Sequence, residues 1–233
     1  MISVEIFAQY WDKAPNVVRD AIRANSTLPG SRIHLFTEGD CDLSWLKDTE
    51  VATTPVSSRI TYSNFLNILG NSQSDYAILL NSDIVVHPGT LEKIPNFSTQ
   101  TALSVSRREV DGSLPSSTEG TNPSNCQDVW VFRPHTPTTD LIRTCNHIKL
   151  GRPGCENRFA AELAVDGYAV YNPCTNLVFT HMGGGAVESY PDPADPNRYN
   201  GLYAYLSPCS TFDIDNIDYR QFLQYYPKVR GIW

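Results

Sequence analysis

The apolar run Tyr76-Ala77-Ile78-Leu79-Leu80 leads straight into Asn81-Ser82-Asp83, and a second run, Ile84-Val85-Val86, follows before His87-Pro88-Gly89 breaks the chain. Hydrophobicity that is continuous rather than alternating marks a strand covered on both faces, as in parallel sheets flanked by helices. The pattern predicts a central strand with an acid, Asp83, at its end. Upstream, Ile2 to Tyr10 predicts a first strand, and Val17, Val18, Ala21 and Ile22 recur at the spacing of one helical face within Pro15 to Ala24. Leu28-Pro29-Gly30 ends that helix, Arg32 to Thr37 predicts a second strand and Glu50 to Val56 a third. Arg59 to Leu69 predicts a helix with Tyr62, Phe65, Leu66 and Leu69 on one side. This alternation implies an α/β chain with a mostly parallel central sheet and helices on both faces.

Further along, a short helix is expected over Thr90 to Ile94 and a strand over Ala102 to Ser106. Arg107 to Asn125 has no apolar period and is rich in Gly, Ser, Pro, Thr and Glu, so it predicts a substrate-side loop of low order. Cys126 to Phe132 predicts a strand with Asp128 near its start, and Thr139 to Leu150 a helix. Gly151-Arg152-Pro153-Gly154 then leads into a helix whose first turn carries Glu156 and Arg158. Late strands are expected over Tyr168 to Asn172 and Leu177 to Thr180, the second ending in His181. From Gly183 the chain turns polar, with Gly183-Gly184-Gly185 and then Pro191, Pro193 and Pro196. Its aromatics, from Tyr199 to Trp233, are expected to cover the sheet or line an acceptor groove.

At 233 residues, 41% hydrophobic and a mean hydropathy of -0.30, the composition is that of a soluble globular chain that can bury a full core. No apolar run approaches the roughly 20 residues of a membrane span. The amino terminus lacks the basic and apolar regions of a secretory signal, so a cytoplasmic location is expected. A net charge of -7, with 18 Lys+Arg scattered along the chain, disfavours a nucleic-acid partner. A phosphorylated ligand would then need local arginines or a divalent metal. The six cysteines show no zinc-like spacing and read as reduced thiols, with a secreted disulfide framework as the alternative.

Five side chains carry the candidate chemistry. Asp83 is either a turn former or helix cap, or a hard oxygen ligand at the end of a buried strand, where open α/β sheets bind their ligands. His181 is either a structural residue or an imidazole ligand. Together with phosphate oxygens the two could hold one Mn2+ or Mg2+. Glu156 and Asp128 are the candidates for taking a proton from an attacking hydroxyl, although Glu156 also reads as a first-turn charge that only stabilises its helix. Arg59, just before its helix, is a solvated cation or a residue that reaches a phosphate or base beside Asp83.

The residues Arg59-Ile60-Thr61-Tyr62, Asn81-Ser82-Asp83-Ile84, Gln127-Asp128-Val129-Trp130-Val131-Phe132, Pro153-Gly154-Cys155-Glu156-Asn157-Arg158 with Glu162-Leu163, Gly167-Tyr168, Asn172-Pro173 and His181 follow in order. In this order they resemble the GT-A-fold glycosyltransferases, in particular the bacterial and large algal-virus, rhamnosyltransferase-like domains. The resemblance runs from about residue 59 to 181. It implies one GT-A-like domain over 1–233: a nucleotide-sugar-binding half over 1–106, an acceptor-side half over 107–182 and a wrapping tail over 183–233. It also implies a UDP- or GDP-sugar donor, a glycan or other hydroxyl acceptor and a divalent metal. Asp83 and His181 would hold the metal, Arg59, Ser82, Asp83 and Arg158 the donor, and Asp128 and Glu156 would face sugar and acceptor. A virus-encoded chain would work in the host cytoplasm. Two departures stand out: only one carboxylate occupies the Asp-x-Asp position, and Glu156 stands where the pattern has Asp. A catalytically silent carbohydrate-binding domain is the alternative from another class. A nucleotidyltransferase is a third reading, although no Gly-rich, cation-bearing phosphate loop lies near the amino terminus.

Overall fold

Seven strands form the main sheet of this computed structural model, in the order β3-β2-β1-β4-β7-β6-β8. The structure describes residues 2–46, 49–115, 123–124, 126–152, 154–183 and 201–228. Strands β1 (Val4–Trp11), β2 (Ser31–Glu38), β3 (Val51–Val56) and β4 (Tyr76–Leu80) are mutually parallel. Strand β7 (Val129–Phe132) runs antiparallel to both β4 and β6 (Thr101–Val105), and β8 (Ala169–Tyr171) is parallel to β6. The mostly parallel sheet expected from the apolar pattern is therefore present, and β4, buried at every residue, is its middle strand.

Helices cover both faces. Helix α1 (Asn16–Ser26) turns Val18, Ala21 and Ile22 inward onto the face formed by Ile6, Ala8, Ile33, Leu35, Ile78 and Leu80. On the other face α2 (Tyr62–Leu69), α3 (Thr139–Thr144) and α4 (Cys155–Val165) enclose Phe7, Phe36, Leu79, Trp130 and Phe132. The Tyr62 ring stacks on Phe159 at 4.0 Å, and Trp130 meets Phe159 edge-on at 4.6 Å. The alternation of side chains along β1 sends Ile6 and Ala8 to one core and Phe7 to the other.

Three boundaries differ from expectation for identifiable reasons. The second apolar run after Asp83 leaves the main sheet: β5 (Ile84–Val86) pairs antiparallel with β9 (Phe179–His181). Buried Asn25 of α1 fixes that departure, donating to the Ile84 carbonyl and accepting from the Val86 N–H, each at 2.8 Å. The helix predicted over Thr139 to Leu150 stops at Thr144 and continues as a 3-10 turn, because Ile148 to Leu150 pair with the backbone of Ile60 to Tyr62 instead. The start of the expected low-order loop is tied down, with the Arg108 N–H donating to Phe179 O at 2.7 Å and the His181 N–H to Arg108 O at 2.8 Å.

The described part of the expected tail holds a strand pair. Strand β10 (Gly201–Leu206) pairs antiparallel with β11 (Leu223–Lys228) and lies against α4, while Tyr219 and Phe222 pack on Tyr171. Positions 116–122, 125, 153, 184–200 and 229–233, including the later glycines of the Gly183 run, the three prolines, Tyr199 and Trp233, lie outside the described residues. Cys145, Cys155, Cys174 and Cys209 are buried thiols. Among the described residues, no helix is long and apolar enough to cross a membrane.

Candidate functional site

The amide of Ile84 bonds back to Asn81 O at 3.0 Å, closing a turn immediately after β4. The β5–β9 pairing sets Ile84 opposite His181, and the Met182 N–H donates to Asp83 O at 2.9 Å. Residues 98 apart in sequence are thereby brought together: His181 Nε2 lies 3.1 Å from Asp83 Oδ2. The other ring nitrogen, Nδ1, lies 3.1 Å from Glu109 Oε2. Burial works against the charge on Asp83, but the hydrogen bond and charge of His181, with Arg107 behind them, outweigh it and hold the carboxyl below its usual range. The hydrogen bond to Asp83 in turn raises His181 above the usual imidazole value, and Glu109 adds to this against the effect of burial.

A chain of charged contacts leads away from this pair. Glu109 Oε1 accepts from Arg107 Nε at 3.0 Å, and Arg107 Nη1 donates to Asp128 Oδ2 at 3.1 Å. The second oxygen, Asp128 Oδ1, accepts from Asn81 Nδ2 at 2.6 Å, and the Asn81 N–H donates to Asp128 O at 3.1 Å. The path thus returns to the turn that carries Asp83. Arg107 and Glu109 were hidden in a stretch whose composition reads as loop, and only the pairing of Arg108 with β9 puts them here.

Glu156 faces the same path from α4. It keeps some solvent contact although the protein surrounds it, and burial first, then the negative charge of Asp128, pushes its carboxyl well above the usual range. The buried Cys155 thiol bonds to it, and Tyr62 Oη lies 3.7 Å from Cys155 Sγ. The two carboxylates therefore have different partners. Both oxygens of Asp128 are engaged by Asn81 and Arg107, whereas Glu156 has a thiol partner and an acid nearby.

The remaining expected residues divide into two groups. Arg59 Nη1 donates to Gly151 O at 3.1 Å, and both it and Asn81 Oδ1 lie close to the space beside Gly151, so Arg59 borders the Asp83 turn. Ser82 Oγ donates to Gln9 O. Gln9, which the sequence did not single out, joins the ends of three segments: its Nε2 donates to Glu38 at 2.8 Å and its Oε1 accepts from the Ile60 N–H at 3.1 Å. Arg158, by contrast, is engaged by Glu162 and by Leu202 O, the latter at 2.9 Å. These contacts tie it to β10 rather than to the Asp83 turn. Beside Arg59 a cleft of about 460 Å3 opens, bordered by Ser58, Thr61, Asn64, Asn146 and Lys149. A second, of about 470 Å3, lies at the carboxyl ends of β2 and β3 between Thr37, Asp40, Cys41 and Thr53.

Known structures supply the frame for this edge. A mannosyltransferase from Pyrobaculum calidifontis, solved in complex with GDP-Man and Mn2+, matches with a TM-score of 0.53 at 11% identity over 81% of this chain and 59% of that one. GalNAc-T7, solved with UDP, GalNAc and Mn2+, matches with a TM-score of 0.54 at 8% identity over 78% of this chain and 43% of that one. The fold is GT-A. This GT-A chain spans about half the length of the two structures it matches. No protein-family model and no curated protein matches it by sequence.

The donor set on this GT-A edge suits a hard or borderline divalent cation. A proton on Nε2 joins His181 to Asp83; with Nδ1–H donated to Glu109, loss of that proton would turn the Nε2 lone pair toward Asp83. Two acceptors 3.1 Å apart then need either a proton or a cation between them. Among the described residues no group of three or more His, Cys, Asp or Glu side chains forms a metal site by itself. Asp83 and His181 would therefore supply only part of a coordination shell, with ligand oxygens and water completing it.

Proposed function

We propose that this protein is a glycosyltransferase that moves a sugar from a nucleoside-diphosphate donor to a hydroxyl acceptor. One observation carries the reading: Asp83 and His181 meet at 3.1 Å beyond the end of the central strand of a GT-A sheet, with Glu109 fixing the imidazole from behind. A divalent cation held there, Mn2+ or Mg2+, would neutralise the charge that develops on the departing diphosphate. The two similar structures were solved with GDP-Man and Mn2+ and with UDP, GalNAc and Mn2+, which supports the same donor class and ion here.

The protein's own groups then have separable tasks. Arg59 and the cleft beside it take part of the donor, and Ser82 with Gln9 holds the Asp83 turn against β1. Glu156 is the general base for the acceptor hydroxyl. Its raised carboxyl lies closer to neutral pH, where a base is most effective, and its oxygens are less occupied than those of Asp128. Asp128 keeps Arg107 and Asn81 in place. Arg158 stands apart from the donor side, and its contacts suit it to fastening α4.

Thermal shift with UDP or GDP, with and without Mn2+, tests the donor and cation together, since a ligand selective for the folded state raises the melting temperature. Wild type should be stabilised by nucleotide only when Mn2+ is present, and Asp83→Ala should lose the effect. Equal nucleotide stabilisation in the variant, or none in wild type with either base, would sink the reading.

A further inference from the structure

Strand β10 grips the first turn of α4 on either side of Glu156. Gly154 caps the helix in the left-handed region, at φ 79°, and a Cβ there would lie 2.9 Å from Cε1 of Tyr203, which is only 2% exposed. Asn157, 3% exposed, donates to Ala204 O at 3.1 Å and to Gln127 Oε1 at 3.3 Å, which reaches the residue preceding Asp128. Arg158 Nη1 donates to Leu202 O at 2.9 Å. Its guanidinium lies so close over Gly201, at φ 121°, that a Cβ there would be 2.9 Å from Cζ. Two glycines thus permit the contact, one on each partner. Tyr203, Ala204 and Leu206 also belong to the apolar core that Phe159, Ala160 and Leu163 of α4 fill, so β10 closes that core and holds the first turn at once.

We infer that β10 is the positioning element for the base: Tyr203 over Gly154, Ala204 O on Asn157 and Leu202 O on Arg158 set the turn of α4 that carries Glu156. The inference rests on the reading of Glu156 as general base. Tyr203 and Arg158 are positioning residues that act through that turn and touch no reacting atom. The groups facing Glu156 itself are Cys155 beside it, Asp128 ahead of β7 and Arg107 beyond β6, with Tyr62 of α2 behind the thiol. β10 therefore acts by placement, not by charge.

The test compares Tyr203→Leu with Tyr203→Phe. Loss of the ring should lower kcat by about 10- to 100-fold, the cost of a small misplacement. The donor KM should stay unchanged, and the pH limb belonging to Glu156 should move toward the usual carboxylate range as water enters. Tyr203→Phe, which keeps the ring over Gly154, should restore both. A folded Tyr203→Leu protein with wild-type kcat and an unmoved limb would overturn the inference.

Native-state hydrogen exchange on the wild-type protein decides the matter even if the leucine variant does not fold. The amides of residues 155–158 should open together with those of 201–206 as one unit. Opening of the α4 turn while β10 stays protected would overturn the inference. Wild-type turnover in Glu156→Gln would instead remove the base reading, a different outcome from either of these.

Discussion

At one end of the chain of charged contacts a carboxylate faces an imidazole; at the other, the charge of Asp128 acts on Glu156, with Arg107 beside them. Asp83 is held below its usual range because His181 offers it a hydrogen bond and charge. Glu156 is pushed above its usual range because burial and Asp128 both oppose its charge. The first end keeps a negative group that a cation can join, and the second keeps a proton mobile near neutral pH. Residue type does not account for the difference, since each end has an acid at or near the end of a strand or helix. The neighbours do, and Arg107 with Glu109 links the two ends through contacts of 3.0 to 3.1 Å.

The largest break in this contrast comes from Glu156→Gln. It removes the proton acceptor and leaves the cation end intact, so turnover should fall by about 100- to 10,000-fold while Mn2+-dependent nucleotide binding persists. Steady-state kinetics beside a thermal-shift titration reads both. Parallel loss of binding would mean that the two ends are not separable. The complementary change, Glu109→Gln, alters the partner behind His181 and spares both candidate ligands. It should weaken Mn2+ affinity by about 10- to 100-fold, as removal of an outer partner of a metal-bound histidine does. Calorimetry with Mn2+ and nucleotide would show this, and unchanged affinity would mean that Glu109 does not orient the ring.

These two variants also mark how far the sequence could be read. The central strand, the order of the first four strands, Asp83 at the turn and His181 at the end of a late strand all follow from apolar periodicity, because burial writes itself directly into residue type. The pairing of Asp83 with His181 was suggested by ligand chemistry at two strand ends and by the resemblance, and periodicity alone could not give it, since it depends on β5 leaving the sheet to meet β9. Arg107 and Glu109 were illegible. They stand in a segment with loop composition, and their positions come from backbone bonds of Arg108 to Phe179 and His181, which leave no mark on side-chain pattern. Arg158 shows the reverse case. The resemblance sets it among the donor-binding residues, whereas its guanidinium is engaged by Glu162 and by the Leu202 carbonyl of β10, a strand that nothing in the local sequence announces.

A smaller effect sharpens the contrast from the cation end, and its sign can be worked out. His181 is raised in the folded protein, so its contribution to stability is fully present below the ordinary imidazole value and is lost as pH rises through the folded one. Asp83 is lowered, so its contribution is present above the ordinary carboxylate value and is lost as pH falls through the folded one. The pair therefore stabilises most between about pH 4 and pH 6.5. With side chains 22% and 20% exposed, the effect is on the order of 1 kcal/mol. Urea denaturation of wild type and His181→Gln should show a stability difference inside that window that shrinks as pH rises beyond it. A difference independent of pH would count against the pair. Cation binding must run the other way, because the proton between Asp83 and His181 occupies the place a metal would take. Mn2+ affinity should accordingly rise over the same interval in which the apo protein loses stability, so one titration reports on both roles of the imidazole.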